Sequence, residues 1–189
     1  MGPLEQAENC TDPNRGQTAM SDFVLAIDPG PERSGWVLFD PKCRRILDHG
    51  ITSNTELLVM LTGGRIGAAQ LVIERIVRLG MPVGQDIFDT CVWIGRLQQG
   101  FDGPCELITR REVKLNLCGD MRAKDGNIRQ VLIDRFGPGK DRAVGKKKDP
   151  GPLYGIRRDE WSALALAVVF ADREAHVQAS TLGNKECSV

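Results

Sequence analysis

Histidine is nearly absent: His49 and His176 are the only two in 189 residues. The six cysteines, Cys10, Cys43, Cys91, Cys105, Cys118 and Cys187, are scattered and form no C-x-x-C pair, so a zinc site is not expected. Free thiols acting as small core residues in a reducing cytoplasm are the simpler reading. So little histidine also offers no convincing Ser–His pair for nucleophilic catalysis. Long apolar runs are missing as well: none is long enough to span a bilayer, and MGPLEQAENCTDPNRGQTAM has no secretory apolar stretch. Residues 1–21 are therefore expected to be a disordered or tag-derived arm. There is no internal repeat. The Gly- and Lys-rich stretch after Gly137 lacks the G-x-x-x-x-G-K-[ST] spacing, which excludes a Walker loop. An excess of one charge is lacking too, since 25 Lys and Arg balance 25 Asp and Glu, an average that by itself argues against a nucleic-acid partner.

That average conceals an asymmetry. From Arg110 to Lys148 twelve Lys and Arg stand against five Asp and Glu, a local excess of seven positive charges. A basic face is one reading; solvated helix faces and a flexible loop are the other.

The length suits one domain with a real core, expected over residues 22–175, with 176–189 as a flexible tail. FVLAID (23–28), GWVLFD (35–40) and RILDHGIT (45–52) read as three strands joined by short turns, an antiparallel meander. A helix over 55–63 and a strand over 70–75 follow. The next helix, 86–100, carries Ile87, Cys91, Ile94 and Leu97 at helical spacing. A fifth strand covers 105–109. Residues 127–137 form an amphipathic helix through Ile128, Val131, Leu132 and Ile133, stopped by Gly137. The last helix, 159–174, is apolar on nearly all sides and so expected to be buried. A hairpin meander followed by alternating helix and strand makes an α/β fold, a five-stranded mixed sheet with helices on both faces.

Two strands end in an acid, at Asp28 and at Glu74. If they are parallel neighbours, the carboxylates sit side by side at the carboxyl edge, where sites form in such sheets. Two carboxylates that close repel unless a cation lies between them, and Mg²⁺ is a hard ion suited to carboxylate oxygens. A turn-forming Asp before Pro29–Gly30 is the alternative for Asp28. Glu74, directly after apolar Leu71–Val72–Ile73, is poorly placed for a solvated face.

Together Asp28–Pro–Gly, Gly35 opening the next strand, Ile73–Glu74 ending the fourth, and an acid before S-A-L-A-L-A in the final helix resemble the RuvC-type Holliday-junction resolvases of the RNase H-like superfamily. ITRREVKLNLCGDMRAKDGNIRQVLIDRFG (108–137) resembles the segment carrying that family's DNA-contacting residues, with Lys114 and Lys124 at the places of its lysines. The resemblance runs from about Phe23 to Phe170 and is nearer to phage-encoded members than to the bacterial housekeeping enzyme. It implies a homodimeric, Mg²⁺-dependent endonuclease that resolves four-way junctions or other branched DNA in the cytoplasm, that of a bacterial host if phage-encoded. Asp28, Glu74 and Asp159 would hold two metal ions, with Mn²⁺ able to substitute. Asp159 also has an N-cap role open to it.

The sequence departs from the family twice. Its second acid on the final helix is here Ser162, so either Ser162 or the adjacent Glu160 completes the metal site; neighbouring helical residues point about 100° apart. After Glu74, where members carry a junction-wedging aromatic, the run is RIVRLGMPVG, and Arg75 and Arg78 are candidate phosphate contacts. Arg111, Arg122 and the Lys146–Lys147–Lys148 run complete the expected DNA-binding set. GPGKDRAVGKKKDPGPLYGIRR reads equally as a flexible basic flap over DNA or a solvated loop, and Tyr154 as a base-stacking residue. Phe88, Trp93 and Ile94 form either a dimer face or core packing. A catalytically weakened branched-DNA-binding protein is the alternative function. A sugar kinase of the actin-like type, sharing the strand–Asp–Gly hairpin, is disfavoured by the short chain.

Overall fold

Apolar residues fill consecutive positions of β1 (Val24–Asp28) because helices cover both of its sides. Successive strand residues point to opposite faces. In the computed structural model, which describes residues 22–77, 80 and 82–183, Val24 and Ala26 join one buried cluster and Leu25 and Ile27 another. The expected arm, residues 1–21, lies outside the described residues, as does Arg78.

β2 (Arg33–Asp40) pairs antiparallel with β1, and β3 (Arg45–Ser53) antiparallel with β2, which is the expected meander. On the other side of β1, β4 (Gln70–Arg75) runs parallel to it and β5 (Cys105–Thr109) parallel to β4, giving the order β3-β2-β1-β4-β5. The order reverses at β1, where the antiparallel and parallel halves meet.

One face carries α1 (Asn54–Thr62) and α2 (Gln85–Gly100), anchored by Leu57, Leu61, Ile94 and Leu97. The other carries α3 (Arg110–Cys118), α4 (Asp125–Phe136), a four-residue α5 (Lys140–Ala143) and α6 (Glu160–Gly183). The first half of α6 is the centre of that layer: Ala163 through Val169 are fully buried, as its unbroken apolar run predicts.

Three features differ from the expectations. α3 is a separate helix inside the basic stretch. Thr109 and Glu112 cap it reciprocally: the Thr109 hydroxyl accepts from the Glu112 amide at 3.2 Å and Glu112 Oε2 accepts from the Thr109 amide at 2.7 Å. Gly119, at φ 67°, ends it in the left-handed conformation that glycine adopts without penalty. The segment read as a flap or loop is folded, with α5 leading into a hairpin of β6 (Gly145–Lys146) and β7 (Asp149–Pro150). It is tied down by buried Ala143, Leu153 and Ile156 and by the bond from the Leu153 amide to the Ala143 carbonyl, 2.8 Å. Finally, α6 runs past residue 175 to Gly183, because no Pro or Gly interrupts it sooner, and it starts at Glu160 rather than Asp159.

Cys105 and Cys118 are half-buried free thiols, whereas the free thiol of Cys91 is exposed, so the core-thiol reading holds for two of these three. Among the described residues no helix is long and apolar enough to cross a membrane.

Candidate active site

Asp28 ends β1, and Glu74 is the last residue but one of β4. The parallel register pairs Ile27 with Ile73, so the next residues on each strand, the two acids, are neighbours at the carboxyl edge. The turn after Asp28 is held from below. Fully buried Asn54 donates through Nδ2 to the Gly30 carbonyl at 2.9 Å, and the buried Ser34 hydroxyl donates to Asn54 Oδ1 at 2.6 Å. Buried polar groups paired in this way fix the backbone that carries the acid.

Gly35 brings in the third acid. It pairs with Asp28 across the β1–β2 ladder, and a Cβ there would lie 2.7 Å from Asp159 Cβ and 2.6 Å from the Asp159 carbonyl carbon. Only a residue without a side chain lets the chain entering α6 rest on β2 beside Asp28. The Asp159 carbonyl accepts from the Ala163 amide at 3.0 Å, so this residue also begins the helical bonding.

Ser162 and Glu160 divide clearly. The Ser162 hydroxyl lies close enough to the Asp28 carboxyl to favour its charged form. Glu160 is buried on the other side of the helix start, where Oε2 accepts from the Arg157 amide at 2.6 Å and Oε1 lies 3.4 Å from His49 Nδ1. Glu160 is thus a local cap, and Ser162 is the α6 side chain that meets Asp28.

The electrostatics follow from burial. Loss of solvent, reinforced by the Glu74 charge, pushes the Asp28 carboxyl up to about 7. Burial raises Glu74 as well, against the opposing pull of Arg110. Arg110, first residue of α3, stands at the end of β5 and spans the site. Nη2 donates to Asp125 Oδ1 at 2.7 Å, and Nη1 lies 3.6 Å from Glu74 Oε2. Burial works against its charge, but Asp125 and Glu74 hold the guanidinium above its ordinary pKa. Nη1 is buried without a hydrogen-bond partner. A cavity of about 360 Å³ opens here, lined by Arg110, Asp125, Arg129, Arg158, Asp159 and Ser162.

Sequence reasoning missed Arg110 and Asp125. The signal available was positional: Arg110 directly follows β5, at the same carboxyl edge of the sheet as Asp28 and Glu74.

The donors fit a hard divalent cation in kind, being carboxylates and a hydroxyl, and an Asp raised to about 7 marks a pair of acids short of positive charge. Among the described residues no three His, Cys, Asp or Glu side chains form a ready-made ligand group. Arg110 stands against Glu74 instead.

Of the expected DNA-binding residues, Lys114 is near enough for its charge to act on Glu74. Arg75 and Arg111 line a second cleft of about 740 Å³ next to Glu74, with Ile76, Val77 and Ile87. Arg122 and Lys124 are exposed where α3 gives way to α4, and Lys146, Lys147 and Lys148 are exposed on the separate β6–β7 hairpin. Ile94 is buried in the core beneath α2, Trp93 is half-buried under the Arg96 guanidinium at 4.1 Å, and Phe88 is exposed, so only Phe88 of these three presents a free apolar surface.

No protein-family model and no curated protein sequence matches the chain. Solved structures do. Thermus thermophilus RuvC in complex with a Holliday junction substrate aligns with a TM-score of 0.59 at 15% identity, covering 79% of this chain and 92% of that one. A second structure of Thermus thermophilus RuvC gives 0.55 at 16% identity, over 81% of this chain and 96% of the other. The yeast mitochondrial Holliday junction resolvase gives 0.57 at 10% identity, over 90% and 88%. At these identities the likeness establishes the fold: the chain has the RuvC and RNase H-like architecture.

Proposed function

We propose that this protein is a structure-selective DNA endonuclease that cuts four-way junctions or other branched DNA, working as a homodimer. The observation that carries the proposal is the meeting of Asp28 and Glu74 on adjacent parallel strands, with Asp159 and Ser162 brought against them by Gly35. The same architecture in a RuvC solved with a Holliday junction substrate and in a yeast mitochondrial Holliday junction resolvase supports it. On the sequence resemblance, the setting would be the cytoplasm of a bacterial cell, with a phage-type member in view.

Asp28, Glu74, Asp159 and the Ser162 hydroxyl would hold Mg²⁺, as two ions, with Mn²⁺ as a substitute. A metal held by these residues would supply an acidified water for attack and charge stabilisation for the leaving 3′ oxygen. The chain supplies the rest. The buried Ser34–Asn54 pair and Gly35 fix the acids before substrate arrives. Arg75, Arg111 and Lys114 set positive charge beside the acids for the phosphates on either side of the cut, and Lys124 adds to it from the start of α4. Arg122 and the Lys146–Lys148 hairpin extend that charge along the duplex arms. Two cuts per junction need two equivalent sites, which a closed twofold dimer provides.

One observation favours the alternative of a weakened enzyme that chiefly binds branched DNA: Arg110 stands in the acid pair where a cation is needed. A labelled four-way junction incubated with purified protein, in Mg²⁺ and in EDTA, separates the two. Metal-dependent paired nicks that vanish in Glu74→Gln while the junction stays bound support the nuclease. Binding without cutting in Mg²⁺ and in Mn²⁺ supports the alternative.

A further inference from the structure

We propose that Arg110 is a tethered cation that competes with a divalent metal ion for Glu74 and so sets how much metal the site demands. This inference rests on reading Asp28, Glu74, Asp159 and Ser162 as metal-binding. The geometry behind it is specific. The guanidinium is anchored at one end, where Nη2 bonds Asp125 at 2.7 Å, and held loosely at the other, where Nη1 approaches Glu74 only to 3.6 Å. Nη1 is buried yet makes no hydrogen bond, so charge alone holds it there. A buried donor left in that state is the weak end of the clasp.

The anchor and the target differ in exposure: the Asp125 side chain is 75% exposed and the Glu74 side chain 17%. An ion taking Glu74 therefore leaves Arg110 attached to Asp125 at the rim, beside the cavity that Arg110, Asp125, Asp159 and Ser162 share. Swinging on that hinge needs no backbone change. In the metal-free protein Arg110 supplies the positive charge that two adjacent carboxyls lack, which keeps the site folded at the cost of metal affinity.

The test is Mn²⁺ binding to the DNA-free protein, by titration calorimetry and by the Mn²⁺ electron paramagnetic resonance signal, in wild type, Arg110→Gln, Arg110→Lys, Lys114→Gln and Asp28→Asn. Arg110→Gln should bind Mn²⁺ about tenfold more tightly, within the usual size of coupling between two ligands. Arg110→Lys keeps a charge but not the fork reaching both acids, and should fall between Gln and wild type; it also serves if Arg110→Gln folds poorly. Lys114→Gln also removes a charge acting on Glu74, but from outside the clasp, and should tighten binding much less. Equal tightening by Lys114→Gln would overturn competition in favour of a general field effect, and unchanged or weaker binding in Arg110→Gln would overturn it outright. Wild-type binding that Asp28→Asn abolishes keeps the metal reading standing in either case. Absence of Mn²⁺ binding in wild type and in both Arg110 variants would overturn the metal reading and this inference with it.

Discussion

Asp28 carries two consequences that pull in opposite directions. Its carboxyl is held near 7, chiefly by burial and then by Glu74, whereas an unfolded chain leaves it near 3.9. Between those values the folded state binds a proton that the unfolded state does not, so in EDTA the contribution of Asp28 to stability is fully present below about pH 4 and is lost as pH rises towards 7. Urea unfolding of the metal-free protein should show a loss on the order of 3 kcal/mol across that window. Asp28→Asn should flatten the profile and be the more stable protein at pH 8, while losing cleavage. A profile unchanged by Asp28→Asn would show that the buried charge is not the cause. At the same scale, Ser162→Asp should lower the Mg²⁺ concentration for half-maximal cleavage, because residue 162 meets Asp28 and a carboxylate holds Mg²⁺ better than a hydroxyl. Glu160→Gln should leave the metal requirement where it is and cost about 1–2 kcal/mol in thermal unfolding, since what it disturbs is a buried charged acceptor of the Arg157 amide.

At the scale of elements, α3 and α4 and the β6–β7 hairpin all carry basic residues but differ in their relation to the acids. Lys114 lies close enough to act on Glu74, and Lys124 opens α4 beside Asp125, with its amide bonded to Asn127 Oδ1 at 2.9 Å. The hairpin bears Lys146, Lys147 and Lys148 at its tip and is braced at its base by Leu153 and Ala143. Junction binding followed against salt should lose about 0.9 from its log–log slope for each phosphate contact removed. Lys114→Ala and Lys124→Ala should each lower the slope and also slow cleavage. Neutralising the three hairpin lysines together should lower the slope with little effect on cleavage by junction-saturated protein. An unchanged slope in all of these would place the DNA on another surface.

Taken whole, the molecule has no net charge and a sheet covered on both faces, so its remaining apolar surface stands out. Phe88 and Val92 on α2 and Val59 on α1 are each more than half exposed. Such residues on the two helices of one layer suit a self-complementary contact, as a twofold dimer requires. Phe88→Glu with Val92→Glu should shift the protein to a monomer in sedimentation equilibrium, with the same melting temperature within a few degrees and with paired cuts replaced by single nicks. A wild-type monomer at micromolar concentration would end the dimer proposal.

Strands and helices were legible in the chain because each is a local matter. Short apolar runs mark the strands, apolar residues at helical spacing mark the helices, and Gly63 and Gly137 mark where two helices stop. The acids of β1 and β4 could be singled out for the same reason: each interrupts an apolar run at a strand end. α3 went unseen because only Val113 and Leu117 of its nine residues are buried, too few to show a period, although the Thr109–Glu112 capping pair was there to be read. Folding alone brought Glu74 of β4, Arg110 of α3 and Asp125 of α4 together, and it turned Glu160 into a cap while leaving Ser162 beside Asp28. Periodicity reports the solvent preference of each residue among its near neighbours, whereas a charge clasp depends on which distant strand ends the sheet order makes adjacent, and only the packed chain decides that.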